Sequence, residues 1–93
     1  MLFLIYTDKE QPKIQSDLTF ILKEALAGGT TTVVNWQIPV ITDNSGPHIT
    51  IVSSHQPGDL FFVGSTDVTY TATDPSGNKA TFTFSIHVIE GNN

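Results

Sequence analysis

The stretch VTYTATDPSGNKATFTFSIHV, residues 68–88, contains two runs in which apolar residues alternate with small polar ones. In the first, Val68, Tyr70 and Ala72 share one side, and Thr69, Thr71 and Thr73 share the other. In the second, Ala80, Phe82, Phe84, Ile86 and Val88 lie opposite Thr81, Thr83, Ser85 and His87. Successive side chains of a strand point to opposite faces, so this period of two predicts strands with one dry and one wet face. The intervening DPSGN (74–78) is turn chemistry. Asp74 can accept a backbone N–H, Pro75 fixes φ for the first central turn position, and Gly77 and Asn78 tolerate positive φ.

Outward from this hairpin, β-branched and aromatic residues recur between turn clusters at AGGT (27–30), TDNSGP (42–47), HQPGD (55–59) and VGST (63–66). The spacing predicts an all-β domain with strands near 13–21, 31–38, 47–53, 60–63, 66–73 and 79–89. In the second of these, Val34, Trp36 and Ile38 share a face. The segment SDLTFILKEALAGG (16–29) is ambiguous. Leu18, Phe20 and Leu22 alternate as in a strand, while Glu24 and Ala25 favour a helical turn around 23–27. One-sided strands need a second sheet over their apolar faces, so about six or seven strands imply a two-sheet antiparallel β-sandwich.

The chain has 93 residues, enough for one small domain, and a net charge of −5. Its basic residues are four lysines, which argues against nucleic acid or anionic membranes as partners. The absence of cysteine excludes a disulfide, a thiolate zinc site and a cysteine nucleophile. MLFLIY (1–6) lacks the basic flank, length and cleavage site of a signal peptide, and no run reaches the length of a membrane span. His48, His55 and His87 lie on separate segments without metal-ligand spacing, and Ser53-Ser54 beside His55 forms no nucleophile elbow. No enzyme and no cofactor is expected.

Several points in fixed order resemble the HYR (hyalin repeat) module. Val34-x-Trp36 and Pro39 are followed by Asp43-Asn44-Ser45-Gly46, Pro57-Gly58, Phe61 and Val63-Gly64. Val68-x-Tyr70-x-Ala72-x-Asp74-x-x-Gly77-Asn78-x-Ala80 and an aromatic last strand close the series, and Pro12-x-Ile14 resembles the module's start. The resemblance implies an immunoglobulin-like sandwich over 11–90 and a short tail at 91–93. Residues 1–10 would be a tail or linker, in one reading the end of a preceding repeat. It further implies a secreted or ectodomain location, cell adhesion, and other proteins or neighbouring modules as partners. Family members usually carry a half-cystine pair where this chain has Gln15 and Phe82, so the resemblance implies that Phe82 replaces a bridge by packing. Related alternatives are a fibronectin type III-like spacer and a calcium- or carbohydrate-binding β-sandwich module.

In such a sandwich the TDNSG and TDPSGN loops share one end. Asp43, Asn44, Ser45, Asp74, Ser76 and Asn78 are therefore candidate interaction residues, with Asp43 and Asp74 as calcium candidates. Two aspartates fall short of the six to eight oxygens calcium takes, and plain turn chemistry is the competing account. Trp36, Tyr70, Phe82 and Phe84 are expected in the core, with Tyr70 bonding back to the chain as a tyrosine corner.

Overall fold

A computed structural model describes residues 11–43 and 48–91, which contain strands and no helix. The strands are β1 (Lys13–Gln15), β2 (Phe20–Ala27), β3 (Thr31–Val33), β4 (Val40–Thr42), β5 (Thr50–Ser53), β6 (Leu60–Phe62), β7 (Gly64–Thr73) and β8 (Lys79–Gly91). The 68–88 hairpin forms as its alternation demands. β7 and β8 stay in register from Gly64 opposite Val88 to Thr73 opposite Lys79. Its loop is a β-turn closed by Gly77 N–H on the Asp74 carbonyl (3.0 Å), and Asp74 N–H on the Asn78 carbonyl (3.0 Å) begins the ladder. Gly77 takes φ +89°, the left-handed residue that follows the turn in three-residue hairpin loops. Asn78 does not use positive φ; among the described residues only glycines do.

β7 and β8 are the centre of a four-stranded sheet of order β2-β8-β7-β5, and β1–β4 and β3–β6 form two further pairs. All pairings are antiparallel except β2 with β8, which is parallel. Eight strands with one parallel pair correct the expectation of six or seven in an antiparallel arrangement.

The expected strand 13–21 is two strands. β1 pairs with β4, but the Ser16 hydroxyl accepts the N–H of Leu18 (3.0 Å), a local turn that ends this pairing. The chain then joins β8, with Ser85 N–H on the Thr19 carbonyl (3.3 Å). β2 runs on to Ala27, so the helical turn at 23–27 does not form. The expected strand 31–38 stops at Val33. Val34 extends its bonding by one step, giving N–H to Asp59 O (3.1 Å) and accepting Gly58 N–H (2.8 Å). Beyond it the 56–59 turn offers no partner strand, and Pro39 has no N–H to give. Pairing resumes in β4, which the alternation did not reveal.

The core consists of Ala25, Val34, Phe61, Val68, Tyr70, Phe84, Ile86 and Val88, with Leu18, Ile21, Trp36 and Phe82 packed against it half-buried. It lies between the inner face of the four-stranded sheet and Val34, Trp36 and Phe61. Full burial of a side chain such as Phe84 or Ile86 contributes about 1.5–3 kcal/mol.

Register also fixes two ends. Lys13 lies opposite Thr42, Thr50 opposite Thr73, and Thr73 opposite Lys79. The start of β5 and the 74–78 turn therefore share one end, the inlet. Ala27 lies opposite Gly91, Gly64 opposite Val88 and Thr31 opposite Phe62, which defines the other end, the outlet. At the outlet, a Cβ on Gly91 would collide with the Ala25 carbonyl oxygen and lie 2.6 Å from Leu26 C and 2.7 Å from Ala27 N. These are backbone atoms at the irregularity of β2 between Glu24 and Ala27, and they cannot swing aside. Gly91→Ala is expected to cost about 1–3 kcal/mol as overpacking, read as a lower denaturant midpoint at unchanged slope. A midpoint equal to the parent's would show that β2 does not hold β8 this closely.

Candidate interaction surface

The structure assigns Asp74 a different standing from an exposed loop aspartate. Its side chain is 4% exposed. One carboxylate oxygen, Oδ1, accepts the backbone N–H groups of Ser76 (3.0 Å) and Asn78 (2.8 Å). Oδ2 accepts Nδ2 of Asn78 (3.0 Å). The carboxylate thus ties both sides of the hairpin loop together, and Asn78 takes part in the same tie. Pro75, Ser76 and Gly77 remain exposed at the inlet. Asp43 is half-buried at the end of β4, and Asn44 and Ser45 lie outside the described residues. Among the described residues, no group of three or more His, Asp or Glu side chains is gathered as a metal ion would need.

Tyr70 and Phe84 are buried, whereas Trp36 and Phe82 are half-buried. The Trp36 indole N–H donates to the Tyr70 hydroxyl at 2.8 Å. The Tyr70 hydroxyl therefore meets a side chain where a tyrosine corner would use backbone. Trp36 also meets Phe61 (5.9 Å) and Phe84 (5.3 Å) edge to face. Val34 is buried but Ile38 is exposed, because the chain leaves strand geometry between them. Phe82, opposite Tyr70, packs on Phe84 at 6.1 Å.

The outer face of the four-stranded sheet is built from hydroxyls. Thr69 lies opposite Thr83 and Thr71 opposite Thr81, and the Thr69 and Thr83 hydroxyls are 3.0 Å apart. Ser85 donates its hydroxyl to Asp67 Oδ1 (2.9 Å), and Ser65 Oγ lies 2.8 Å from His87 Nδ1. Exposed apolar residues flank this band: Val52, opposite Thr71, on one side, and Phe20 and Leu22, opposite Ser85 and His87, on the other. Phe20 stacks on His87 at 6.2 Å.

Phe20 and Leu22, which alternate as in a strand, lie on the outer side. Their partners on β8 face outward, so the register sends them outward too, and Ala25 takes the inner place. Sequence reasoning also missed Asp59, whose carboxylate accepts Gln56 N–H (2.9 Å) and closes the 56–59 turn. The spacing Gln-Pro-Gly-Asp was the available signal. His55 lies beside Ser54 (2.9 Å) and against Phe61 (5.3 Å), and His48 is exposed outside the strands. A groove of about 420 Å³ opens where β1 leaves β4, between Ser16, Leu18, Gln37, Ile38 and Pro39.

The family model of the HYR domain matches residues 7–88. Hyalin of Lytechinus variegatus is 41% identical over 87 residues, covering 94% of this chain and 16% of that protein. Hyalin of Strongylocentrotus purpuratus is 42% identical over 87 residues, again 94% of this chain and 7% of that one. The sushi, von Willebrand factor type A, EGF and pentraxin domain-containing protein 1 of Rattus norvegicus is 53% identical over 55 residues, 59% of this chain and 2% of that protein. The chain thus spans about a sixth or less of the curated relatives it matches.

Proposed function

The chain belongs to the HYR domain family, and from that premise we propose that it is an extracellular protein-interaction and cell-adhesion module of a larger multi-domain protein. It binds through its surface and performs no catalysis. We infer that its strands form a two-sheet sandwich of the immunoglobulin and fibronectin type III kind. The support is the passage from β1, paired with β4, to β2, paired with β8, across only residues 16–19. A chain that changes partners in so few residues is turning a corner between sheets.

The observation that carries the interaction reading is the outer face of the hairpin. The inner faces of β7 and β8 are used by the core, and the 74–78 turn is held by Asp74. The outer face of the two strands carries a band of exposed and half-buried hydroxyls flanked by Phe20, Leu22 and Val52. A polar, hydrogen-bonding strip with apolar margins is a surface suited to another protein. No helix among the described residues is long and apolar enough to cross a membrane. With a charge of −5, the partner is a protein surface rather than a polyanion.

Beads coated with the full chain are expected to adhere to one another or to matrix-bearing cells. Thr81→Lys with Thr83→Lys should abolish adhesion and leave the melting temperature within ~2 °C, since both residues are exposed. Adhesion no greater than that of uncoated beads, with and without calcium, would leave the chain a spacer. Adhesion that survives the lysines would move the surface elsewhere.

A further inference from the structure

We infer that the free edge of β5 pairs with the same edge of a second copy about a two-fold axis, joining two four-stranded sheets side by side. The sheet ends in β2 on one side and β5 on the other. An edge presents unpaired backbone N–H and C=O groups, and proteins guard it with charge, proline or a bulge. β2 is guarded: Lys23 and Glu24 are exposed on it, and its register breaks between Glu24 and Ala27. β5 has none of these guards. Thr50, Ile51, Val52 and Ser53 run in unbroken register along β7, and no charged residue lies between Asp43 and Asp59. Ile51 and Val52 are 49% and 61% exposed, and no described strand lies beyond them.

The ladder shows which backbone groups are left over. Ser54 N–H bonds the Thr69 carbonyl (3.0 Å), and antiparallel bonding alternates, so Val52 and Thr50 also turn to β7. Ile51 and Ser53 turn their N–H and C=O groups away from it. Self-pairing satisfies these groups in one register. With Ile51 opposite Ser53 of the second copy, both outward residues of each strand are bonded, and the two Val52 side chains meet across the axis. Moving the second strand two residues either way sets an outward residue against chain outside β5. This fit selects the occupant. A folded edge brings its strand already formed, whereas a free peptide loses chain freedom on joining. An uncharged edge is also where two chains of charge −5 repel least. Val52 lies opposite Thr71 on the outer face, so the pairing joins two hydroxyl bands into one. So short an edge buries less than the ~1,200 Å² of a standard interface, which makes the contact weak between free copies and effective where copies are held side by side.

The test uses the absence of cysteine from the full chain. In the inferred pair the Cα atoms of the two Val52 residues lie ~4.5 Å apart, within disulfide reach. Under mild oxidation Val52→Cys is expected to form a cross-linked dimer about tenfold faster than Thr83→Cys, which is exposed on the outer face away from the edge. Thr50→Cys and Ser54→Cys should each cross-link slowly alone and quickly when mixed, because residue 50 of one copy faces residue 54 of the other. All four positions are exposed, so melting temperatures should stay within a few degrees of the parent's. Hydrogen exchange at the Ile51 and Ser53 amides should slow as chain concentration rises. Val52→Cys dimers that form no faster than those of Thr83→Cys overturn the inference. So do Thr50→Cys dimers as fast as those of Val52→Cys, which would mean another register or none. Amides slowed by a synthetic Val-Thr repeat peptide but not by chain concentration would give the edge to a foreign strand instead. Cross-linking at position 52 in chains whose beads do not adhere would sink the adhesion reading and leave edge pairing standing; adhering beads without cross-linking would do the reverse.

Discussion

Trp36→Ala is expected to lower stability by about 3–4 kcal/mol, enough to unfold much of a domain this small at room temperature. The indole is half-buried, so its burial alone contributes less than that of a fully enclosed tryptophan. Its position supplies the remainder. It stands edge-on to Phe61 and Phe84, and it gives its N–H to the buried Tyr70 hydroxyl. Removing it opens a cavity between β6 and β8 and strands that hydroxyl. Trp36→Phe keeps most of the packing and should cost about 1–2 kcal/mol. Tyr70→Phe should cost a similar amount, and the two together less than their sum, because they share one hydrogen bond. Native fluorescence should peak between the fully buried and water-like limits and move red on denaturation. An alanine variant with the parent's denaturant midpoint would show that Trp36 does not close the core.

The tryptophan also shows where sequence reading succeeds and where it stops. That Trp36 and Tyr70 share the apolar side of their runs was legible from alternation; that the two side chains bond each other was not. Nor was the depth of the indole. Depth depends on whether residues 34–38 stay in a strand, and that depends on how far β6 extends alongside them. β6 is three residues long and preceded by a turn, so the ladder ends after Val34. Ile38, two residues beyond the indole, is left exposed. Pattern within a segment cannot report the length of a partner drawn from elsewhere in the chain.

The same limit explains β2. Phe20 and Leu22 alternate faultlessly, and the hydrophobic rule alone puts them inside. Their phase is set instead by β8, where Ser85 and His87 face outward. Ala25 is small enough for the close approach near the β2 irregularity, and it becomes the buried member of the strand. β7 and β8 were legible because they pair with each other across a loop whose residues specify its geometry. Local pattern and tertiary register then carry the same information. At the candidate surface, the threonine face followed from alternation.

Asp74→Ala is expected to cost about 2–4 kcal/mol, several times the usual effect of a loop substitution. An exposed turn aspartate would lose one or two water-competed bonds. Asp74 is buried and accepts at least three N–H groups, two of them backbone donors that the loop conformation cannot redirect. Hydrogen bonds to a charged acceptor contribute more than neutral ones, and the half-buried Asn78 would lose the acceptor of its backbone N–H and of its Nδ2. Ser76 is exposed and recovers part of its loss from water, which keeps the total below a simple sum of three bonds. Asp74→Asn retains an oxygen for the two backbone donors but sets one amide NH₂ against another at Asn78. It should fall between the parent and the alanine variant, at about 1–2 kcal/mol. Urea titration of the three proteins gives the order. Calcium separates the two accounts of this residue: a ligand role would make the parent's melting temperature climb with calcium by mass action and leave the alanine variant unresponsive. With its oxygens already engaged by the hairpin, the parent is expected to melt at the same temperature with and without calcium. A calcium-dependent rise confined to the parent would instead make Asp74 a ligand at the inlet end.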